Sequence, residues 1–272
     1  MYSREDICSV ILNFYRHIIR HPYLDDDALI VPPPQGWSHI TTSAGKDATA
    51  IDLIHHLPYL RRSNLSSGHL LIYPGTIPIC YLDDDDTQYQ EQIYHLPVHC
   101  VYLARRADYL GRDLILDTSN GTVTEFALDN FSISQDEYEA LPKVERWHVH
   151  PTVPLPELLG NWIRMYESLE WMSVPNPIGQ PETGRFYRRD DEAVYRDVDY
   201  EGGSELDREQ GRAMRWYAEH AKNIYDVYIR HGWPDHFDKG RCRGELLRLE
   251  KAKDVEERRI MDENNPDAEL FD

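Results

Sequence analysis

A chain of 272 residues is long enough for one large domain or a domain with a sizeable extension, and 41% hydrophobic content with eighteen Tyr and six Trp supplies the apolar area of a core. The formal net charge of −19, from 29 basic against 48 acidic side chains, opposes long-range attraction to nucleic acid and anionic membranes and favours cationic partners, while leaving room for a local basic patch. No apolar run approaches membrane-spanning length, and the N-terminus lacks the basic-then-apolar order of a secretory leader; with four scattered cysteines (Cys8, Cys80, Cys100, Cys242) that suit a reducing compartment, this predicts a cytoplasmic protein with no membrane association and no cofactor.

The first helix is expected from about Arg4 to Ile19. Ser3 and Asp6 have capping-box spacing, Ile7, Ile11, Phe14 and Ile18 recur at helical intervals, and His21-Pro22 stops the run. Pro32-Pro33-Pro34-Gln35-Gly36-Trp37 reads as a stiff extended loop, and a second helix covers Asp47 to Leu57 before Pro58. Strands are expected over 69–73, 77–82 and 98–104. A hairpin follows, Asp113–Leu116 against Val123–Leu128, with Asn120-Gly121 as a two-residue turn.

A helix from about Pro156 to Trp171 carries Leu158, Trp162, Met165, Tyr166 and Leu169 on one face. Pro and Gly then punctuate 173–204, which reads as an irregular linker. A long helix from about Leu206 to His231 ends at Gly232-Trp233-Pro234, and a charged helix spans about Glu245 to Ile260. The fold class is therefore α+β, an antiparallel sheet with packed helices plus a C-terminal helical extension. The domain organisation is a core over 1–172, the linker over 173–204, an extension packed on the core over 205–260, and an acidic tail over 261–272.

No Walker A, GxGxxG, GxSxG or HExxH signature is present. His148 and His150 would face one way in an extended segment, with His95, His99 and Cys100 as supplementary ligands, but the spacing demands no metal and ordinary polar histidines are the simpler reading. Asp83 to Asp86 and Asp25 to Asp27 read as solvated acidic loops, or more sharply as a grip for a guanidinium.

The hairpin register puts Leu114, Leu116, Thr118, Val123, Glu125 and Ala127 on one face, where Glu125 is the lone charge. Such a carboxylate must find a partner, line a cleft or shift its pKa, which makes Glu125 the foremost chemical candidate. Asp52 and His56 stand four apart on a helix, the spacing of a structural pair and also of an oriented general base. Basic residues gather at Arg185, Arg188 and Arg189 around Phe186 and Tyr187, and again at Arg241, Arg243 and beyond. They fit either RNA backbone contacts or salt-bridged helix surface.

Four segments together resemble a large group of filamentous-fungal proteins: the 32–37 loop, Ile54-His55-His56-Leu57-Pro58-Tyr59, Leu116-Asp117-Thr118-Ser119-Asn120-Gly121-Thr122-Val123, and His231-Gly232-Trp233-Pro234. The order of elements over roughly 45–172 also looks like the SUKH superfamily, an α+β binding fold. The fungal resemblance implies an arginine-containing cyclodipeptide synthase, an enzyme that joins amino acids from aminoacyl-tRNAs into a cyclic dipeptide. On that reading Glu125 and His56 are catalytic, Asp117, Trp37 and Tyr59 bind substrate, and Arg185, Arg188, Arg189, Arg241 and Arg243 bind tRNA. The SUKH resemblance implies instead a non-enzymatic module for a protein ligand, with Trp37 and Trp147 as anchors.

Overall fold

The computed structural model describes residues 3–40, 45–61, 70–83, 96–128, 131–177, 183–189 and 205–264, with side chains described over 215–259 of the last range. The chain divides into two compact units, Met1–Arg20 with Asp25–Tyr166, and His21–Leu24 with Glu167–Asp272. The class is α+β, and among the described residues every strand pairs antiparallel.

In the first unit, α1 (Arg4–Ile18) starts at the expected capping box: the Asp6 N–H donates to Ser3 Oγ at 3.1 Å, and the Ser3 N–H donates to the Asp6 carboxylate at 3.0 Å. Its Ile7, Ile11, Phe14 and Ile18 are buried. Short β1 (Leu29–Ile30) pairs with β2 (Tyr59–Leu60), and between them α2 (Ala48–His56) is capped by Asp47, which accepts from the Ala50 N–H at 2.8 Å.

The main sheet runs β3 (Thr76–Pro78), β4 (Cys100–Arg106), β5 (Asp113–Asp117), β6 (Thr122–Phe126) and β7 (Thr152–Pro154), in chain order. A meander of this kind needs only short connections. Before β7 lie α3 (Gln135–Ala140) and a 3-10 turn over Lys143–Val149; after it comes α4 (Leu155–Glu167). Within the unit Trp162 of α4 meets Phe14 edge-on at 5.8 Å and stacks on Tyr73 at 5.2 Å, and the Tyr166 hydroxyl donates to the Ile72 carbonyl at 2.6 Å.

The hairpin departs from its expected turn. Asp117 pairs with Thr122 and Leu114 with Glu125, so four residues, 118–121, form the loop. The Asp117 carboxylate builds it, accepting from the Ser119 N–H at 2.8 Å, the Ser119 hydroxyl at 2.6 Å and the Asn120 amide at 3.0 Å. This aspartate turn displaces the two-residue Asn-Gly turn. The pairing is shifted by two residues, an even number, so Glu125 keeps the face it was expected to share with Leu114, Leu116 and Val123.

In the second unit β8 (Trp171–Pro175) pairs with β9 (Gly184–Arg188), a ribbon that begins at the expected end of the preceding helix and runs into the range read as irregular. Pro175 and Gly184 are the pair that closes the ribbon, a ladder end that tolerates proline. Gly184 is needed because a Cβ there would lie 2.6 Å from the Tyr23 ring. Residues 190–204 and the tail from 265 lie outside the described residues. The two long helices are α5 (Glu205–Arg230) and α6 (Lys239–Asn264). Their buried Ile224, Tyr228 and Leu246 form a core with Met172, Val174 and Tyr187 of the ribbon. The helices thus share one compact unit with His21–Leu24 and the chain from Glu167, and the unit does not start at 205. Among the described residues no helix is long and apolar enough to cross a membrane.

Candidate functional site

Glu125 stands where its register puts it, half-buried on the sheet face, and its charge is matched from within. Arg112 Nη1 donates to Glu125 Oε2 at 2.7 Å, and the same guanidinium lies over the Tyr73 ring at 5.1 Å. The Arg112 pKa is raised: burial opposes its charge, and Tyr73 and Glu125 outweigh that opposition. The foremost catalytic candidate of the sequence therefore already holds an arginine of its own chain. The pair should behave as a coupled unit. In a double-mutant cycle with Glu125→Ala and Arg112→Ala, measured by urea denaturation, we expect a coupling energy of about 1–3 kcal/mol, since each single variant strands the other charge. Additive losses would show that the two side chains act independently.

His56 and Asp52 do meet, at 3.4 Å between His56 Nδ1 and Asp52 Oδ1, but the shorter contact of that nitrogen is the Asp52 carbonyl at 2.8 Å. Arg4 completes the cluster, donating to both Asp52 oxygens at 3.0 Å. His56 also forms part of a wall: a Cβ on Gly36, whose φ is +79°, would lie 3.1 Å from its ring. The proline-rich loop thereby closes on the C-terminal end of α2. The Trp37 N–H donates to the His55 carbonyl at 2.8 Å, and Trp37 Nε1 donates to the Leu57 carbonyl at 2.9 Å, satisfying groups a helix end leaves open. Tyr59 is buried and donates to the Ile54 carbonyl at 2.5 Å. In this structure Tyr59 and Trp147 are buried packing groups, and the half-buried Trp37 caps the end of α2. A small apolar void among Ile11, Phe14, Ile72, Leu103, Leu114 and Leu159 is lined by none of the candidate residues.

His148 and His150 do not face one way. The segment is a 3-10 turn, which leaves His148 exposed against Trp147 and His150 buried edge-on to Phe126 at 4.5 Å. His95 and Asp84 to Asp86 lie outside the described residues. His99 and Cys100 instead meet Asp117, their ligand atoms all within 4.8 Å of one another. Burial above all, and Asp117 next, pushes the Cys100 thiol up to about 12.

In the second unit several basic residues pair with acids. Arg185 reaches from β9 to α6, donating to Glu250 at 2.7 Å and to Asp254 at 2.6 Å. Glu250 is fully buried and also accepts from the Tyr187 hydroxyl at 3.0 Å and His220 Nε2 at 2.8 Å. Arg189 lies over Tyr225 at 4.7 Å. Strand alternation turns Arg188, opposite Trp171, to the other face from Arg185. Arg241 is exposed beside Asp238 at 3.4 Å, and Arg243 is half-buried. Lys253 with Glu257 and Arg259 with Glu256 continue the pairing along α6. Arg185 is thus engaged by the acids of α6 and Arg189 by an aromatic ring, while Arg241 is exposed beside an acid.

Sequence reasoning passed over a more exposed feature. Between β4 and β5, Tyr109 and Leu110 are 73% and 56% exposed. Asp108 Oδ1 accepts from the Leu110 N–H at 2.8 Å and the Gly111 N–H at 3.0 Å, and the Gly75 carbonyl accepts from the Ala107 N–H at 2.7 Å. Gly75, at φ +59°, and Gly111 pack backbone to backbone: a Cβ on Gly111 would lie 1.9 Å from the Gly75 carbonyl oxygen. The available signal was Asp-Tyr-Leu-Gly between two strands, a turn with two large apolar residues at its tip. Comparison with protein-family models, with curated proteins and with solved structures gives no match.

Proposed function

We propose that this chain is a non-enzymatic, SUKH-like protein-binding module of the cytoplasm, and that the Tyr109–Leu110 tip is its anchor. The observation that carries the reading is the way the tip is built. An aromatic and an aliphatic side chain stand out to solvent on backbone held by Asp108, Gly75 and Gly111. Large apolar groups presented on pre-ordered backbone lose little entropy on docking, and a few such anchors carry most of the energy of an interface. The net charge of −19 favours a partner with an apolar pocket in a basic surround. The free thiols suit a reducing compartment.

The cyclodipeptide-synthase reading rests on the sequence resemblance. It makes Glu125 catalytic, and Glu125 would first have to release Arg112. One experiment separates the two readings. The full chain is used to capture partners from a lysate, these are identified by mass spectrometry, and their affinities are measured with purified proteins. Tyr109→Ser with Leu110→Ser is expected to weaken the specific partner by at least about thirtyfold, the equivalent of ~2 kcal/mol, while stability changes by less than about 0.5 kcal/mol. An unchanged affinity removes the tip from the interface. An arginine-containing cyclic dipeptide formed from charged tRNAs by the purified chain would overturn the binding-module reading.

A further inference from the structure

We propose that His99, Cys100 and Asp117 form a binding site for one divalent transition-metal ion of the zinc class. Cys100 and Asp117 are registered partners across β4 and β5, which puts both side chains on one face of the sheet. His99 is the residue before β4, and its imidazole turns back to bring Nε2 within 3.7 Å of Asp117 Oδ1. One nitrogen, one sulfur and one carboxylate oxygen lie within 4.8 Å of each other. A tetrahedral ion with bonds of about 2.0–2.3 Å needs its ligand atoms roughly 3.3–3.8 Å apart. His99 and Asp117 already stand at that spacing, and a contraction of about 1 Å toward the Cys100 sulfur closes the rest, within reach of small side-chain rotations.

The surroundings are built to hold that arrangement. The His99 carbonyl is fixed by the Thr118 N–H at 3.0 Å and the Thr118 hydroxyl at 2.8 Å. The Asp117 carboxylate is fixed by Ser119 and Asn120. Ligands oriented by hydrogen bonds of this kind are the usual support of a protein metal site. Lys46 opposes a cation, since its ammonium acts on Cys100, but Asp47 and Asp117 act there in the other sense. Once Cys100 binds as thiolate, releasing its proton to solvent, one ammonium stands against three anions. The local charge then matches a dication. Three protein ligands leave a fourth position for water, the arrangement of an open site. Imidazole with thiolate selects zinc or cobalt over magnesium or calcium.

The test uses the full chain, stripped with a chelator and titrated with cobalt(II). One equivalent is expected to bind, with a thiolate-to-cobalt charge-transfer band in the near ultraviolet that added zinc abolishes. Cys100→Ser should remove that band, and His99→Ala and Asp117→Asn should each weaken binding at least tenfold. A band that persists in Cys100→Ser assigns the thiolate to Cys8, Cys80 or Cys242 and overturns the proposal, as does the lack of any charge-transfer band in the wild type. Should Cys100→Ser fail to fold, the half-exposed His99 decides: undiminished cobalt binding in a folded His99→Ala also overturns it.

Discussion

Replacing Glu250 by alanine is expected to lower the stability of the C-terminal unit by about 3–5 kcal/mol, the cost of breaking a buried ion pair from one side. The side chain is 0% exposed, and its carboxylate accepts from Arg185, Tyr187 and His220. Removing it leaves a guanidinium, an imidazole and a phenol without their common acceptor. A leucine at the same position should do little better, because the partners would remain. The pH dependence separates charge from shape. Burial resists ionisation of Glu250 most, but the hydrogen bonds and charges of His220 and Arg185 outweigh it and hold the carboxyl below its ordinary value. A group depressed in the folded state contributes stability above its unfolded pKa, near 4.5, and loses it as pH falls through the folded value. Urea denaturation of the wild type between pH 7 and pH 3 should show this loss, and Glu250→Gln should flatten the acid limb. Equal acid sensitivity in both proteins would move the effect to other carboxylates.

Gly111→Ala is expected to destabilise the N-terminal unit by about 3 kcal/mol, the upper end of an ordinary overpacking cost. The added methyl would meet the Gly75 carbonyl oxygen at 1.9 Å, and that oxygen is backbone already engaged by the Ala107 N–H. No side-chain rotation can relieve the clash; the strands on either side must separate. Gly75→Ala adds strain of a second kind, since its φ of +59° disfavours any side chain. Thermal and urea unfolding of Gly111→Ala tests the first claim. Binding then gives an independent reading: if the tip is the anchor, the alanine variant must also weaken the partner, because Tyr109 and Leu110 depend on this contact for their placement. Native stability in Gly111→Ala would refute the close approach itself.

Much of the first unit was legible because its signals are local. Ser3 with Asp6 and Asp47 with Ala50 are caps written into a few residues, and the apolar spacing of α1 and α4 follows the helical period. Ser134 with Glu137 carries the same capping-box signature, although α3 was passed over in reading the sequence. The face of Glu125 was correct because alternation survives an even shift, while the loop length was not, because Asp117 can bond to the turn that follows it. The β8–β9 ribbon was hidden by Pro175 and Gly184, residues that commonly mean loop and here close a ladder. Of the alternatives open to Glu125, a partner, a cleft or a shifted pKa, the structure shows a partner. Its partner, Arg112, stands on the far side of β5 in sequence, and no periodicity announces a pairing across strands. The burial of Tyr59 and the pairing of Arg185 with Glu250 were hidden for a related reason: exposure belongs to the assembled unit, and composition does not carry it.

The second unit includes His21–Leu24, a piece of chain 143 residues before its main body at Glu167. His21 is fully buried there, its Nδ1 lying 3.1 Å from the Tyr228 hydroxyl and its ring 4.6 Å from Trp233. Tyr23 lies edge-on to Phe186 at 5.6 Å and fills the space Gly184 leaves. The two units are therefore not two stretches of gene. Scissors applied at residue 167 would hand the C-terminal piece a hollow where an imidazole and a phenol belong. The N-terminal piece would keep four residues whose native surroundings had been removed. Two bodies in space remain a single inheritance, and whatever alters the twenty-first codon is felt at the two hundred and twenty-eighth.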